Sequence, residues 1–493
     1  MPDFTTQAAP ATQGKEFFGH PRALSTLFLT EMWERFSYYG MRAILVLFLT
    51  ATVANGGLGM AEGDATALYG VYVGFVYLMA LPGGWVADRL LGARRSVLWG
   101  GIVIALGHYA MAVPVKAGIF VGLVLITIGT GLLKPNISAM VGKLYEADDP
   151  RRDAGFSIFY MGINLGAFIS PLITGYLGEE VNWHLGFGVA AVGMTFAVVQ
   201  YVLGRRHLHG VGDTPPNPLA GEDRRRALRA IAIGVAAVVV LIGIAAVTGQ
   251  LTLSKIVSAL AVFAVLVAVV YFARILLDKR LTEVERSRMR AYVYLFVFAA
   301  SFWLIYDQAG SVLNLFAEKN TDRNVFGWEM PASWLQSVNP ILVIIGSPIF
   351  ALIWLKAGHR LSTPVKFTMG LVLNGLSFML MALAAKAAVG GTLVSPMWLV
   401  AVYALQVCGE LCLSPVGLSA TTKLAPALYG SQMLGLWFLS TAVGDAIGGQ
   451  VAKWGSDVSQ PAYFTVLGVA SVVLGASAVL LTRHLRRLMA GIH

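Results

Sequence analysis

Residues 31–42 read Glu31-Met32-Trp33-Glu34-Arg35-Phe36-Ser37-Tyr38-Tyr39-Gly40-Met41-Arg42. They interrupt an apolar run from about Leu24 to Val53, which is longer than the ~20 residues needed to cross a bilayer. Four charged side chains in one span are costly, at about 2.5–3.5 kcal/mol for each Arg or Asp near a helix centre. Helical spacing shows how they are tolerated. At ~100° per residue, Glu31, Glu34, Arg35, Tyr38, Tyr39 and Arg42 share one stripe, while Phe36, Leu45 and Val46 lie elsewhere. Glu31 and Arg35 are four apart and can pair. The stripe is expected to line a wet cavity on a transport path, since charges inside membranes mark functional sites.

Composition agrees with a chain that threads a bilayer many times. Of 493 residues, 57% are hydrophobic and 13% charged, about half the charged fraction of soluble domains. A soluble enzyme is excluded. The net charge of +10 does not signal nucleic acid, because most Lys and Arg fall in short loops on one face of the membrane, the positive-inside pattern. That pattern places both termini in the cytoplasm. Cys408 and Cys412 are one turn apart in an apolar run and give neither a disulfide framework nor metal-site spacing. They read as small packing residues.

The spans follow in order. A polar tail covers residues 1–20. Span 2 carries Tyr69, Tyr72 and Tyr77; tyrosines near span ends can anchor at the interface, whereas Tyr77, at mid-span, faces a cavity or bonds across helices. A basic turn, Gly84 to Arg95, contains Asp88, Arg89, Gly92, Arg94 and Arg95. Its pattern resembles the signature loop of the major facilitator superfamily. Span 4 holds Lys134 beside Pro135 and Asn136; Pro135 kinks the helix. Lys134 can hold an anion, respond to a proton or snorkel to the interface. Asn164 in span 5 can serve an amine or an amide, or join helices.

Residues 205–226, with Pro215, Pro216 and Pro218, read as a linker. Two plain apolar segments follow, about 227–247 and 256–277. They are read as an inserted hairpin at the periphery. Span 7 carries Trp303 and an isolated carboxylate, Asp307. Span 8 holds Asn339-Pro340, span 10 holds Glu410 before Pro415, and span 11 holds Trp437, Phe438 and Asp445. Sequence alone does not decide whether Asp445 faces the cavity or the loop. Six spans precede the insertion and six follow it, and the Lys356-Ala357-Gly358-His359-Arg360 loop echoes the one after span 2. The expected fold is an all-α polytopic membrane protein of about 14 spans. A six-helix bundle over 21–204 and another over 291–487 are separated by the linker and hairpin over 205–290, with a site at mid-membrane.

Together these motifs resemble the proton-dependent oligopeptide transporter family of the major facilitator superfamily. The Glu31 to Gly40 string follows that family's hallmark. So do Phe159-Tyr160 to Gly166, Trp303 with Gln308, Gln336 to Pro340, and Gly409-Glu410-Leu411 with Ser414-Pro415. The resemblance covers about residues 20 to 490. It implies proton-coupled symport of di- and tripeptides, a bacterial inner-membrane location, no enzymatic activity, no metal or cofactor other than the coupling proton, and a functional monomer in lipid.

The resemblance also assigns roles. Arg35 and Lys134, with Tyr39 and Tyr77 nearby, would receive the peptide carboxylate. Asn164, Asn339 and Glu410 would hold its amino terminus. Trp303, Trp437 and Phe438 would form side-chain pockets. Glu31, Glu34, Arg35, Arg42, Lys134, Asp307 and Glu410 would couple protons to transport, with Arg42 paired to Asp307. Two departures are visible. Many relatives have Glu where this chain has Asp307, and animal members place a His where this chain has Gly70. No histidine is expected at mid-span, so a carboxylate must do the proton work. A same-fold carrier of another small anion or conjugate, such as nitrate or a modified amino acid, is the alternative.

Overall fold

The computed structural model describes residues 16–146, 149–208, 210–219, 221–249, 252–357 and 361–492. The tail expected over 1–20 therefore lies outside the described residues up to position 15, as do residues 358–360 of the echoing loop. Among the described residues, eleven helices are long and apolar enough to cross a membrane. These are α2 (Glu62–Leu91), α4 (Lys116–Gly142), α5 (Arg152–Val181), α6 (Trp183–Leu208), α7 (Gly221–Val247), α8 (Leu253–Leu276), α9 (Glu283–Asn320), α10 (Ala332–Lys356), α11 (Thr363–Ala387), α12 (Met397–Lys423) and α14 (Gln460–Leu480). Three more, α1 (Ala23–Thr50), α3 (Ala93–Ala112) and α13 (Gly430–Gly455), are of similar length but more polar. Among the described residues the expected fourteen long helices are thus present. Helices suit this solvent because every interior backbone group is satisfied within the segment.

The chain divides into two compact units. The first comprises residues 1–40, 79–170 and 187–231. Its basic turn is fastened to the linker. Arg94 N–H donates to Gly212 O at 3.0 Å and its guanidinium pairs with Asp213. Asn217 and Leu219 N–H donate to the carbonyls of Asp88 and Arg89 at 3.1 and 3.0 Å. The Pro-rich linker read from sequence is therefore docked along 210–219, its backbone groups partnered by the turn.

The second unit comprises residues 41–78, 171–186 and 232–493. Here α13 lies against α2, α8 and α9, and α11 against α12 and α14. Small residues allow these approaches. A Cβ on Gly70 of α2 would sit 2.6 Å from Asp445 O and 2.7 Å from Gly449 Cα on α13. A side chain at position 70 would therefore press on the backbone of α13. One end of this unit is tied by polar contacts. Glu62 pairs with Lys319, and Asp64 with Lys453 at 2.7 Å. Glu179 accepts N–H bonds from Ala332 and Ser333 at 2.7 and 3.1 Å. Trp334 Nε1 donates to Leu172 O at 3.0 Å. A short antiparallel hairpin, β1 (Asn324–Val325) with β2 (Trp328–Glu329), adjoins it. Of the inserted hairpin, α8 packs on α2 and α13, with Phe263 stacked on Phe75 at 6.3 Å and Ser258 bonded to Gln450 at 3.1 Å. The apolar stretch of α7 is exposed along its described length.

Candidate functional site

In the first unit, Arg35 organises a dry ionic cluster. Arg35, Glu31 and Glu34 are each at most 1% exposed. Arg35 grips Glu34 with two nitrogens, Nε to Oε2 and Nη2 to Oε1, the latter at 2.6 Å. Such forks are among the stronger ionic contacts. Its Nε also lies 3.3 Å from Glu31 Oε1, the expected i,i+4 partner. The guanidinium sits over the rings of Tyr38 and Tyr39, at 5.0 and 5.9 Å. Lys134 on α4 lies within electrostatic reach of Glu31. Glu31 Oε2 is buried with no hydrogen-bond partner among the described residues. Tyr39 and Lys134 are half-buried, so they border accessible space beside the dry cluster. Asn164 is 7% exposed, and its amide donates to Tyr160 O on its own helix at 3.0 Å.

In the second unit, Arg42 meets Asp307. The two are 7% and 8% exposed and joined through Arg42 Nη2 and Asp307 Oδ1. Asp307 therefore reaches the arginine despite being one methylene shorter than Glu. The α-helical part of α9 ends at Tyr306, and a tight turn follows over Asp307–Gly310. This break presents Asp307 O as a second acceptor, 3.4 Å from Arg42 Nη2. Arg42 Nε donates to the hydroxyl of Tyr69, which is 1% exposed. Gly310 leaves the space that this phenol occupies. Asp307 Oδ2 is buried without a hydrogen-bond partner among the described residues. Asp445, 3% exposed, lines the same small internal cavity as Tyr69, Asp307 and Gln308. It is thus directed inward and away from the loop.

A third group, also in the second unit, is arranged around Tyr306. Its hydroxyl donates to Glu410 Oε2 and accepts from Asn339 Nδ2 at 2.9 Å. Trp303 stands edge-on to its ring at 5.3 Å. Three expected site residues, Trp303, Asn339 and Glu410, are brought together by a residue to which the sequence reading gave no role. All three are half-buried. Tyr77 stacks with Phe438 at 6.3 Å and 23°, while Trp437 is 6% exposed.

Sequence reasoning therefore missed Tyr306 and Tyr69. A tyrosine near a span end reads as an interfacial anchor, but burial against Arg42 overrides that reading. Histidine also needs correction. His108 lies four residues before the end of α3, is fully buried, and has no hydrogen-bond partner at either ring nitrogen among the described residues.

Comparison with known proteins places this geometry. The sequence profile of the POT family (PTR2) matches residues 94–466. A di-/tripeptide transporter of Lactococcus lactis subsp. cremoris is 42% identical over 485 residues, covering 96% of this chain and 98% of the relative. A crystal structure of the peptide transporter POT in complex with sulfate superposes with a TM-score of 0.93 at 46% identity, covering 97% of each chain. A POT family transporter in complex with 5-aminolevulinic acid gives 0.91 at 39% identity, covering 96% of this chain and 98% of that one. The profile spans the helices that carry Asp307 and Glu410 and the relatives cover nearly the whole chain, so the chain belongs to the POT family of proton-dependent oligopeptide transporters.

Proposed function

We propose that this protein carries di- and tripeptides together with protons across a bacterial inner membrane, with both termini in the cytoplasm, as a monomer and without covalent chemistry. The observation that carries the reading is a division among the polar residues within the spans. Glu31, Glu34, Arg35, Arg42 and Asp307 are sealed in two ionic clusters, whereas Tyr39, Tyr77, Lys134, Trp303, Asn339 and Glu410 border accessible space. The first unit offers a cation and a phenol and the second a carboxylate, an amide and aromatic faces, groups that suit the two ends of a short zwitterion with variable side chains. Lys134, backed by Arg35, receives the carboxylate. Glu410, with Asn339, receives the ammonium group. Trp303 faces the side chains.

The buried clusters supply the coupling. Each leaves one carboxylate oxygen, Glu31 Oε2 and Asp307 Oδ2, without a hydrogen-bond partner among the described residues. A proton arriving there neutralises a carboxylate that burial disfavours. Protonation of Asp307 releases Arg42, protonation of Glu31 or Glu34 releases Arg35, and the peptide replaces the lost partners. The proton is the coupling ion, and no other cofactor is required.

A structural relative bound to 5-aminolevulinic acid favours one extension of this reading. That acid also carries one ammonium group and one carboxylate. The test is competition against uptake of a labelled dipeptide by the reconstituted protein. Unlabelled di- and tripeptides compete, 5-aminolevulinic acid competes weakly, and free amino acids and nitrate do not. Competition by nitrate equal to that by dipeptides would overturn the assignment.

A further inference from the structure

Outside the candidate site, the first unit carries a groove of about 480 Å³ between the start of α1 and the end of α6. One end is cationic. Arg22, Arg206 and His207 line it, and no acidic residue does among the described residues. Neither guanidinium has an ion-pair partner among the described residues. His207 stands half-buried beside them. The floor is polar and internally satisfied, with Gln200 bonded to Thr30 at 2.8 Å and to Thr26 O at 3.2 Å. The remaining wall is apolar and open. Phe196 is 51% and Leu203 69% exposed, and Trp33 packs against Phe196 with ring centroids 5.3 Å apart.

The polarity is graded along the helix axis. Phe196 and Leu203 span seven residues of α6, about 10 Å of rise, and the two arginines and His207 cluster at the end beyond Leu203. A free anion would use only the cationic end, and a peptide would leave the apolar wall bare. An amphiphile with an anionic head and hydrocarbon tails satisfies both. The groove also lies at the face of the membrane that carries the basic loops, where anionic headgroups concentrate basic residues. From this complementarity we propose that the groove binds one anionic phospholipid. Its phosphate is held by Arg22, Arg206 and His207, and an acyl chain lies along Trp33, Phe196 and Leu203.

The experiment titrates the purified full-length protein in neutral detergent with phosphatidylglycerol or phosphatidylcholine of the same acyl chains. Bound lipid is counted by native mass spectrometry. Phosphatidylglycerol should be retained in preference, and the double variant Arg22→Gln/Arg206→Gln should weaken it by roughly fivefold per lost charge, about twenty-five-fold in all. Equal retention of the two lipids, or no change in the double variant, would overturn the proposal. Inorganic phosphate should not displace the lipid; displacement would show that the cationic end recognises a free anion alone. A second measurement needs no variant. Phosphatidylglycerol with a photoreactive acyl chain should label peptides containing Phe196 or Leu203, and labelling confined to other helices would equally defeat the assignment.

Discussion

Replacing Asp307 by Asn tests the role of the buried pair most sharply. The substitution keeps shape and removes charge. Arg42 would then be left 7% exposed with a phenol, a backbone carbonyl and a neutral amide around it. Removing one partner of a buried ion pair costs about 3–5 kcal/mol, or about two to three and a half powers of ten in any equilibrium that requires the pair to form. All of that cost falls on the state in which Arg42 and Asp307 are joined. Proton-driven uptake cycles through that state, so Asp307→Asn should lower driven dipeptide uptake in proteoliposomes by at least a hundredfold. Exchange of labelled for unlabelled peptide, which needs no net proton movement, should persist at a measurable rate. Asp307→Glu keeps the charge and should recover most of the driven rate. Driven uptake by Asp307→Asn within twofold of wild type would refute the reasoning.

Three further outcomes follow from the geometry. Tyr306→Phe removes the hydroxyl that links Glu410 to Asn339, and a lost hydrogen bond to a charged group is worth about 1.5 kcal/mol or more. KM for a dipeptide should rise about tenfold, and an unchanged KM would remove Tyr306 from the site. Lys134→Ala and Glu410→Gln should each abolish driven uptake while the protein still elutes as a monodisperse peak; wild-type rates in either would show the substrate groups to be elsewhere. Gly70→Ala pushes a methyl group against the backbone of Asp445 and Gly449, and such overpacking costs about 1–3 kcal/mol. Its melting temperature in detergent should fall by several degrees, and an unchanged value would mean that α2 and α13 part without cost.

The fold was legible because membrane helices must be long, apolar and continuous, and because basic residues sort to one side. The Glu31–Arg35 contact was legible from i,i+4 spacing. Arg42 with Asp307 came from the resemblance, and the structure closes that pair. Glu34 was harder to place. Adjacent helical residues do not normally face one another, yet Arg35 bends back to grip its neighbour through two nitrogens. Tyr69 and Tyr306 carried no local signal. Their roles depend on Arg42 and Glu410, which are distant in sequence and brought near only by packing. The break in α9 at Asp307 was hidden too, because no proline marks it and Gly310 acts by making room for a side chain from another helix. Asp445 could not be oriented from one sequence, since its direction depends on how closely Gly70 lets α13 approach α2.

The central claim is that inward proton movement is obligatorily linked to peptide entry. It is tested most directly by recording both fluxes together, using labelled dialanine and a pH-sensitive dye inside proteoliposomes under an inward proton gradient. The account predicts accumulation of dialanine above its external concentration, with lumenal acidification that appears only when peptide is present. It also predicts that both signals are lost when the proton and voltage gradients are collapsed. Peptide accumulation that survives that collapse, or that proceeds without peptide-dependent acidification, would contradict it.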